Sequence, residues 1–491
     1  MLPDLTITNE QINSLPFLLG LIESLGIRQT IDTHLQPHGH WQGISVGTAV
    51  TLWLSHLLQA RDHRLVAVRD WAAQRAHTLN TLLGITLRDT DCTDDRLANI
   101  LSMLGDAATQ ATLDAALTQS WLRVYRLRTD TVRLDSTSVS VHHDPDDPAS
   151  LFQLGVSKDH RPDLNQFKVM LATLDPLGLP LVCQTVAGNA SDDTLYVPAY
   201  DAAVGVLDTT AVLVVGDSKM GALGTRGHIV ACGSTYLCTY RPPSATGEIA
   251  RWMTTALARR DQWHQLETLD TATGELVHTH DVDHAERTQT WRDPATQQEQ
   301  TWTERVLLVR SLAYAAGLRR IRERQLARLT EELLRWCTPP TRGRKKYHNR
   351  AELEALLTER IARAGLSGVV HTALSEETLP NGATRWVVER FWVDRAAWQE
   401  LVDRLGWQVY VTNTLADSYD VPTIVEVYHG QAVHERGFSR LKTRNLQIRP
   451  VYLRDEQRIA GLVWLLTLAL RVLTLVEYRA RATLEAQQAQ V

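Results

Sequence analysis

The sequence predicts an α/β fold in which a mixed-sheet domain follows a helical N-terminal region and is interrupted by a mixed, β-rich insertion. Three observations carry this reading. Apolar residues recur at a spacing near 3.6 through the first 125 residues. From Thr131 the texture changes to the β-type runs TVRLDSTSV, QFKVMLATLD and LPLVCQTVAG. From about residue 242 strand-like runs resume without the earlier alternation of strand and helix.

Taken in order, residues 1–125 read as helices over 22–35, 48–58, 65–76 and 93–104. Arg61, Arg64, Arg69 and Arg75 lie among them. Such a domain suits DNA binding, and equally suits packing or dimerisation. Over 126–241 the second and third β-runs are joined by Asp175-Pro176-Leu177-Gly178, which is turn chemistry. A helix around 194–206 follows, then the apolar strand AVLVVGDS, of the kind buried on both faces of a sheet. A short helix and the strand TYLCTYR complete the segment. Three strands led by a hairpin, then helix, strand, helix, strand is the order of ribonuclease-H-like folds.

Residues 242–415 read as the insertion. QWHQLETLD, GELVHTHDVD, ERTQTW and QTWTERVLLVR form a strand meander. A long helix over 318–336, the basic loop PPTRGRKKYHNR and a hairpin turning at Asn381-Gly382 come next. GWQVYVTN leads back to a helical region from Val421, so 416–491 reads as the second part of the interrupted mixed-sheet domain, with C-terminal helices.

The chain is 44% hydrophobic and 22% charged, as expected of a globular protein with a sizeable core. Lys plus Arg is 51 against 56 Asp plus Glu, a net charge of −5. That excludes a simple basic coat protein for nucleic acid, and any DNA contact must come from local basic surface. Cys92, Cys183, Cys232, Cys238 and Cys337 form no CxxC pair. They suit reduced thiols in a cytoplasm and give no zinc-site spacing. MLPDLTITNE has no basic or apolar signal region. The most apolar run, IAGLVWLLTLAL over 459–470, falls short of the about 20 residues of a bilayer span. It reads as a buried core helix, and no membrane partner is expected.

Two-metal phosphoryl transfer needs carboxylates converging on one point, holding divalent ions roughly 3.5–4 Å apart. Asp135, in RLDSTS, and Asp217, after AVLVVG, stand where apolar strands end, well placed to enter a cleft. The competing reading makes each an N-cap. A third acid, Glu435, lies in VEVYHGQAVHERGFSRLKTRN. On one helix Tyr428, Gln431, Glu435 and Lys442 fall within roughly 60° of each other at about 100° per residue. Such a stripe is a polar functional face or a solvated one.

These residues carry a resemblance. The chain resembles the DDE transposases of bacterial insertion sequences, in the branch with a Tyr-Arg-Glu-Lys signature. Tyr428, Glu435 and Lys442 match that signature at its spacing, and Gln431 replaces its Arg. LGVSKDHRPDLNQFKVMLATLDPLGLPLVCQTVAGNASDDT and NLQIRPVYLRDEQRIAGLVWLLTLAL are also similar to this branch. The likeness covers about 130–240 and 405–480 well, and the rest loosely. It implies that Asp135, Asp217 and Glu435 hold two Mg²⁺ ions, with Mn²⁺ as substitute. It implies that Tyr428, Gln431 and Lys442 position DNA-end phosphates. The reaction implied is hydrolysis at each element end, then joining of the freed 3′-hydroxyl to target DNA. The partners are double-stranded DNA at terminal inverted repeats and at the target, with a homodimer on DNA to pair two ends. The setting is the bacterial cytoplasm, at the nucleoid when DNA is bound. The alternatives are an inactive DNA-binding descendant and a ribonuclease-H-like nuclease.

Arg436, Arg440 and Arg444 follow Glu435 closely and are expected to bind DNA, with Arg449, Arg454 and Arg458 nearby and Asp455 and Glu456 as opposing acids. Arg342, Arg344, Lys345, Lys346 and Arg350 form a second basic cluster or a solvated face. Ser136, Thr137 and Ser138 read as hydrogen-bonders, since no covalent intermediate is needed. His142, His143 and Asp144 read as loop polarity. Nine of the 14 Trp residues fall in the insertion, mostly as packing.

Overall fold

The computed structural model describes residues 9–143, 150–270, 273–337, 346–379 and 382–488, without the side chains of Ser244, Arg444 and Gln488. The chain divides into two compact units. The first comprises Met1–Thr239, Thr288–Glu304 and Val411–Val491, and the second Tyr240–Arg287 and Arg305–Tyr410.

The N-terminal region folds as α1 (Leu15–Ser24), α2 (Ile27–His34), α3 (Val46–Ala60), α4 (Leu65–Ala73), α5 (Ala76–Leu83), α6 (Asp94–Leu104) and α7 (Ala107–Tyr125). The helix expected over 22–35 is two, because Gly26 at φ +69 takes a left-handed conformation between α1 and α2. The sequence reading passes over α7, whose apolar positions are diluted by Ala, Thr and Gln. Asp106 starts it, accepting a hydrogen bond from the Thr109 N–H at 2.8 Å.

Next come β1 (Thr131–Ser140), β2 (Gln166–Leu174), β3 (Leu179–Ala187), α8 (Tyr196–Leu207), β4 (Leu213–Gly216), α9 (Leu223–Ala231) and β5 (Thr235–Thr239). They lie in the order β3-β2-β1-β4-β5. The β1–β2 and β2–β3 pairs are antiparallel, and β4 runs parallel to both β1 and β5. Every residue of β2 and β4 is buried, which explains the unbroken apolar run of β4, while β2 also buries Gln166, Lys168 and Thr173.

Residues 248–412 supply α10 (Glu248–Ala258), β6 (His264–Leu269), β7 (Leu276–Arg292), β8 (Glu299–Ser311), α11 (Leu312–Cys337), α12 (Arg350–Arg363), β9 (Val370–Thr378), β10 (Thr384–Val393), α13 (Arg395–Asp403) and β11 (Trp407–Thr412). GELVHTHDVD and ERTQTW, read apart in the sequence, are one strand of 17 residues, β7. In the second unit Leu329, Leu333, Leu353, Leu357, Leu366 and Val388 join α11, α12 and the β9–β10 hairpin in one core. Asn381, expected at the hairpin turn, lies outside the described residues.

The chain closes with α14 (Val421–His429), α15 (Ala432–Ser439), a π-helical turn at Arg440–Arg444 and α16 (Glu456–Gln488). The apolar run of 459–470 is only part of α16, which has 33 residues. By length and composition this helix could cross a membrane, yet 83% of its apolar window is buried within the protein. Its Arg471 is fully buried and pairs with Asp114 of α7 at 2.7 Å. The same guanidinium donates to the carbonyls of Pro180 and Leu181, so a buried charge is satisfied on all sides. The mixed sheet, flanking helices and helical N-terminal region form the ribonuclease-H-like α/β arrangement expected from the sequence.

Candidate active site

The register of β1 and β4 sets the first two acids. Leu134 pairs with Gly216, so the next residues, Asp135 and Asp217, emerge side by side where β4 ends. β1 itself continues to Ser140 along β2, so Asp135 is mid-strand and only its neighbour stops there. Glu435 arrives from α15. Arg133, Asp135, Asp217, Gln431, His434 and Glu435 line one cavity of about 40 Å³. That is far below the roughly 300–1,000 Å³ of a pocket for an organic ligand. Small hydrated ions suit it better.

Asp135 and Asp217 are held in place rather than capping helices. Asp217 Oδ1 accepts the Tyr196 hydroxyl at 2.6 Å and the Lys219 N–H at 2.8 Å. Burial, with Asp217 and Asp135 adding to it, pushes the Tyr196 phenol well above its ordinary range, so it stays a donor. Asp135 Oδ1 accepts from the Ser136 N–H at 2.7 Å and from Lys158 Nζ at 3.1 Å. Burial raises the Asp135 pKa and Asp217 raises it further, while Lys158 acts in the opposite sense. Two carboxylates so placed favour a cation between them.

Beneath the cavity, Arg133 donates through Nε to both oxygens of Asp175, at 2.8 and 2.6 Å. Its Nη2 donates to the Val427 carbonyl at the end of α14. The guanidinium comes so near that a Cβ on Gly430 would lie 2.7 Å from Nη2, and the chain breaks there between α14 and α15. Gly178, at φ +68 in the β2–β3 turn, similarly admits Val433 of α15, since a Cβ would meet its Cγ1 at 2.6 Å. His434 Nδ1 bonds Thr173 Oγ1 at 2.7 Å. Burial lowers the His434 pKa to about 3, so the imidazole is neutral.

The continuous helical stripe expected over 428–442 does not exist. The helix breaks at Gly430–Gln431 and its winding changes from Arg440, so a constant 100° per residue no longer applies. Gln431 nonetheless joins Glu435 at the cavity. Tyr428 is buried, with its hydroxyl 3.4 Å from Thr239 Oγ1. Lys442 Nζ sits 2.8 Å from Asp159 Oδ1, and Arg449 takes the other oxygen at 3.0 Å. Arg436 and Arg440 are not brought to the acids. They pair with Glu477 of α16 at 3.0 and 2.7 Å, beside Arg481, and line a separate cavity with Pro176 and Gly178. The Arg444 side chain lies outside the described residues.

Sequence reasoning misses Lys158, Tyr196 and Asp159 as neighbours of the site. Only the dipeptide Lys158-Asp159, inside the longest similar stretch, hints at them. Asp192 accepts from Lys168 Nζ at 2.7 Å, a structural pairing just before α8. His143 packs edge-on to Phe152, and Asp144, Arg342, Arg344 and Lys345 lie outside the described residues. Of the insertion tryptophans, Trp302 is buried, whereas Trp392 is 45% exposed and stacks on His371.

A family model described as a transposase DDE domain matches residues 127–472. A second, described as a domain of unknown function (DUF4277), matches residues 7–116. A search of curated proteins returns no match.

Proposed function

The chain belongs to the transposase DDE domain family, and from that premise we propose that it cleaves insertion-sequence ends and joins the freed 3′-hydroxyl to target DNA through Asp135, Asp217 and Glu435. The observation that supports this most is the meeting of the three carboxylates at one small cavity, from two strands and a helix far apart in sequence.

The donor set fits Mg²⁺, with Mn²⁺ as substitute. All three acids offer hard oxygen ligands, which Mg²⁺ prefers. The Lys158 ammonium on Asp135 is in keeping with a cation at this spot. When bound, two such ions activate the attacking oxygen and stabilise the leaving one. The protein side of the reaction is positioning. Tyr196 fixes the Asp217 carboxylate, and Arg133 anchors the α14–α15 break from which Glu435 projects. Gln431 offers its amide to a DNA-end phosphate, a neutral contact where the Tyr-Arg-Glu-Lys branch has a charged one. Lys442 reaches a phosphate by exchanging Asp159 for it. Arg436, Arg440 and Arg444 belong to the DNA-binding reading only as outlying contacts. Pairing of two terminal inverted repeats calls for a homodimer on DNA, in the bacterial cytoplasm.

The test is nicking of a duplex carrying the element's terminal repeat, with Mg²⁺ or Mn²⁺, by wild type and Glu435→Gln. Nicking that needs both the ion and Glu435 is expected. Tight binding of the repeat without nicking, under either ion, would overturn the reading in favour of an inactive DNA-binding descendant.

A further inference from the structure

A second set of ligand-bearing side chains meets on α8 and α9. His228 and Cys232 stand four residues apart, one helical turn, and so share a face. Asp201 of α8 faces them. His228 Nε2 lies 2.7 Å from Asp201 Oδ1, and Cys232 Sγ lies 3.8 Å from the same nitrogen. All three ligand atoms fall within 4.8 Å of one another. With Zn–N near 2.0–2.1 Å and Zn–S near 2.3 Å, tetrahedral ligands sit roughly 3.2–3.8 Å apart. Small rotations therefore suffice to close the set around one ion.

The surroundings shape a site as well. The Tyr200 ring stands edge-on to His228 at 5.8 Å, and its hydroxyl is fixed by Ser234 at 2.6 Å. His228 and Cys232 are half-buried, while Asp201 opens to solvent, which leaves an entry path. Sequence spacing alone gives no hint of zinc here, because the set is His-x₃-Cys plus an acid from another helix rather than CxxC.

We infer that Asp201, His228 and Cys232 form a binding site for a thiophilic divalent ion, zinc foremost, with water at the fourth position. Sulfur and imidazole select Zn²⁺ over Mg²⁺, so this site and the all-carboxylate cavity take different metals. Cys232 enters as thiolate, releasing one proton to solvent per ion bound. His228 gives its Nε2 lone pair with the proton on Nδ1, and Asp201 exchanges its bond to the imidazole for the ion. The ion would clip α8 to α9. Tyr196, in the first turn of α8, holds Asp217, so the clip stiffens a helix that supports the acid cavity.

The full chain, freed of metal with a chelator, is titrated with Co²⁺ as a coloured stand-in, then with Zn²⁺ in competition. A sulfur-to-cobalt charge-transfer band in the near ultraviolet is expected to saturate at one equivalent, whatever further Co²⁺ the all-carboxylate cavity takes up without such a band. The band should vanish in Cys232→Ser, weaken about tenfold in apparent affinity in His228→Gln, and persist in Asp135→Asn/Glu435→Gln. In the wild type, Zn²⁺ should slow alkylation of Cys232 about tenfold and leave Cys337 unchanged, a readout that requires no variant to fold. A band that survives Cys232→Ser, loss of binding in the acid-cavity variant, or alkylation of Cys232 indifferent to Zn²⁺ would each overturn the site. None of these outcomes bears on DNA cleavage, which Glu435→Gln tests separately.

Discussion

The two sides of α15 hold charge in opposite ways. Toward the sheet, Glu435 joins Asp135 and Asp217 at a cavity where Lys158 bonds one of the acids. Toward α16, Arg436, Arg440 and Arg481 converge on Glu477 alone. The first arrangement gathers like charges at a cost that an incoming cation relieves, as catalytic sites do. The second is a surface ion-pair network, which stabilises modestly. Neighbouring residues 435 and 436 thus face different surroundings, the first the acid cavity and the second the Glu477 carboxylate. The basic cluster beside the proposed catalytic acid already has a partner within the chain.

The sharpest way to break this comparison is to neutralise one acid on each side. Glu435→Gln should lower terminal-repeat nicking about a thousandfold or more, about 4 kcal/mol in barrier, with the thermal midpoint unchanged or raised. A milder loss of activity, or marked destabilisation, would make Glu435 a structural residue. Below the cavity, Asp175→Asn leaves the buried Arg133 guanidinium without its carboxylate. A loss of ~3 kcal/mol in urea unfolding is expected, and an unchanged midpoint would show that Val427 alone suffices as partner. Glu477→Gln should cost ~1 kcal/mol or less in stability and leave nicking within about threefold of wild type. A collapse of nicking there would place the arginines at DNA after all. The smallest effect is expected of Gln431→Arg, which should preserve or modestly raise nicking and steepen the salt dependence of repeat binding by about one counterion. A severe loss would give the amide a role of its own.

Much of the acid side was legible because strands advertise their ends. Runs such as AVLVVGDS place an acid where a fully buried strand leaves the sheet, and parallel pairing of β1 with β4 then makes Asp135 and Asp217 neighbours. Glu435 was legible through the spacing of its signature, although the uniform helix assumed for that spacing is broken at Gly430. The arginine side was illegible because its counter-charge is distant. Sequence proximity offers Asp455 and Glu456 as the balancing acids, whereas the partners are Glu477 for Arg436 and Arg440, and Asp159 for Lys442, 283 residues away. Long-range pairings of this kind leave no local pattern. The same holds for Asp201, which completes the His228–Cys232 set from another helix.

The burial of Arg471 bears on how the protein is made. Its partner Asp114 lies 357 residues earlier, and the helix that carries it packs against α6 and β3. A ribosome adding about 5–20 residues per second delivers Asp217 on the order of ten seconds or more before Glu435. Until α16 arrives, Asp114 waits as an unpartnered carboxylate and the early strands lack the helix that covers them. A nascent chain therefore holds two of the three acids before the third is made, and on the proposed reading the cavity is complete and held in place only when synthesis has passed α16.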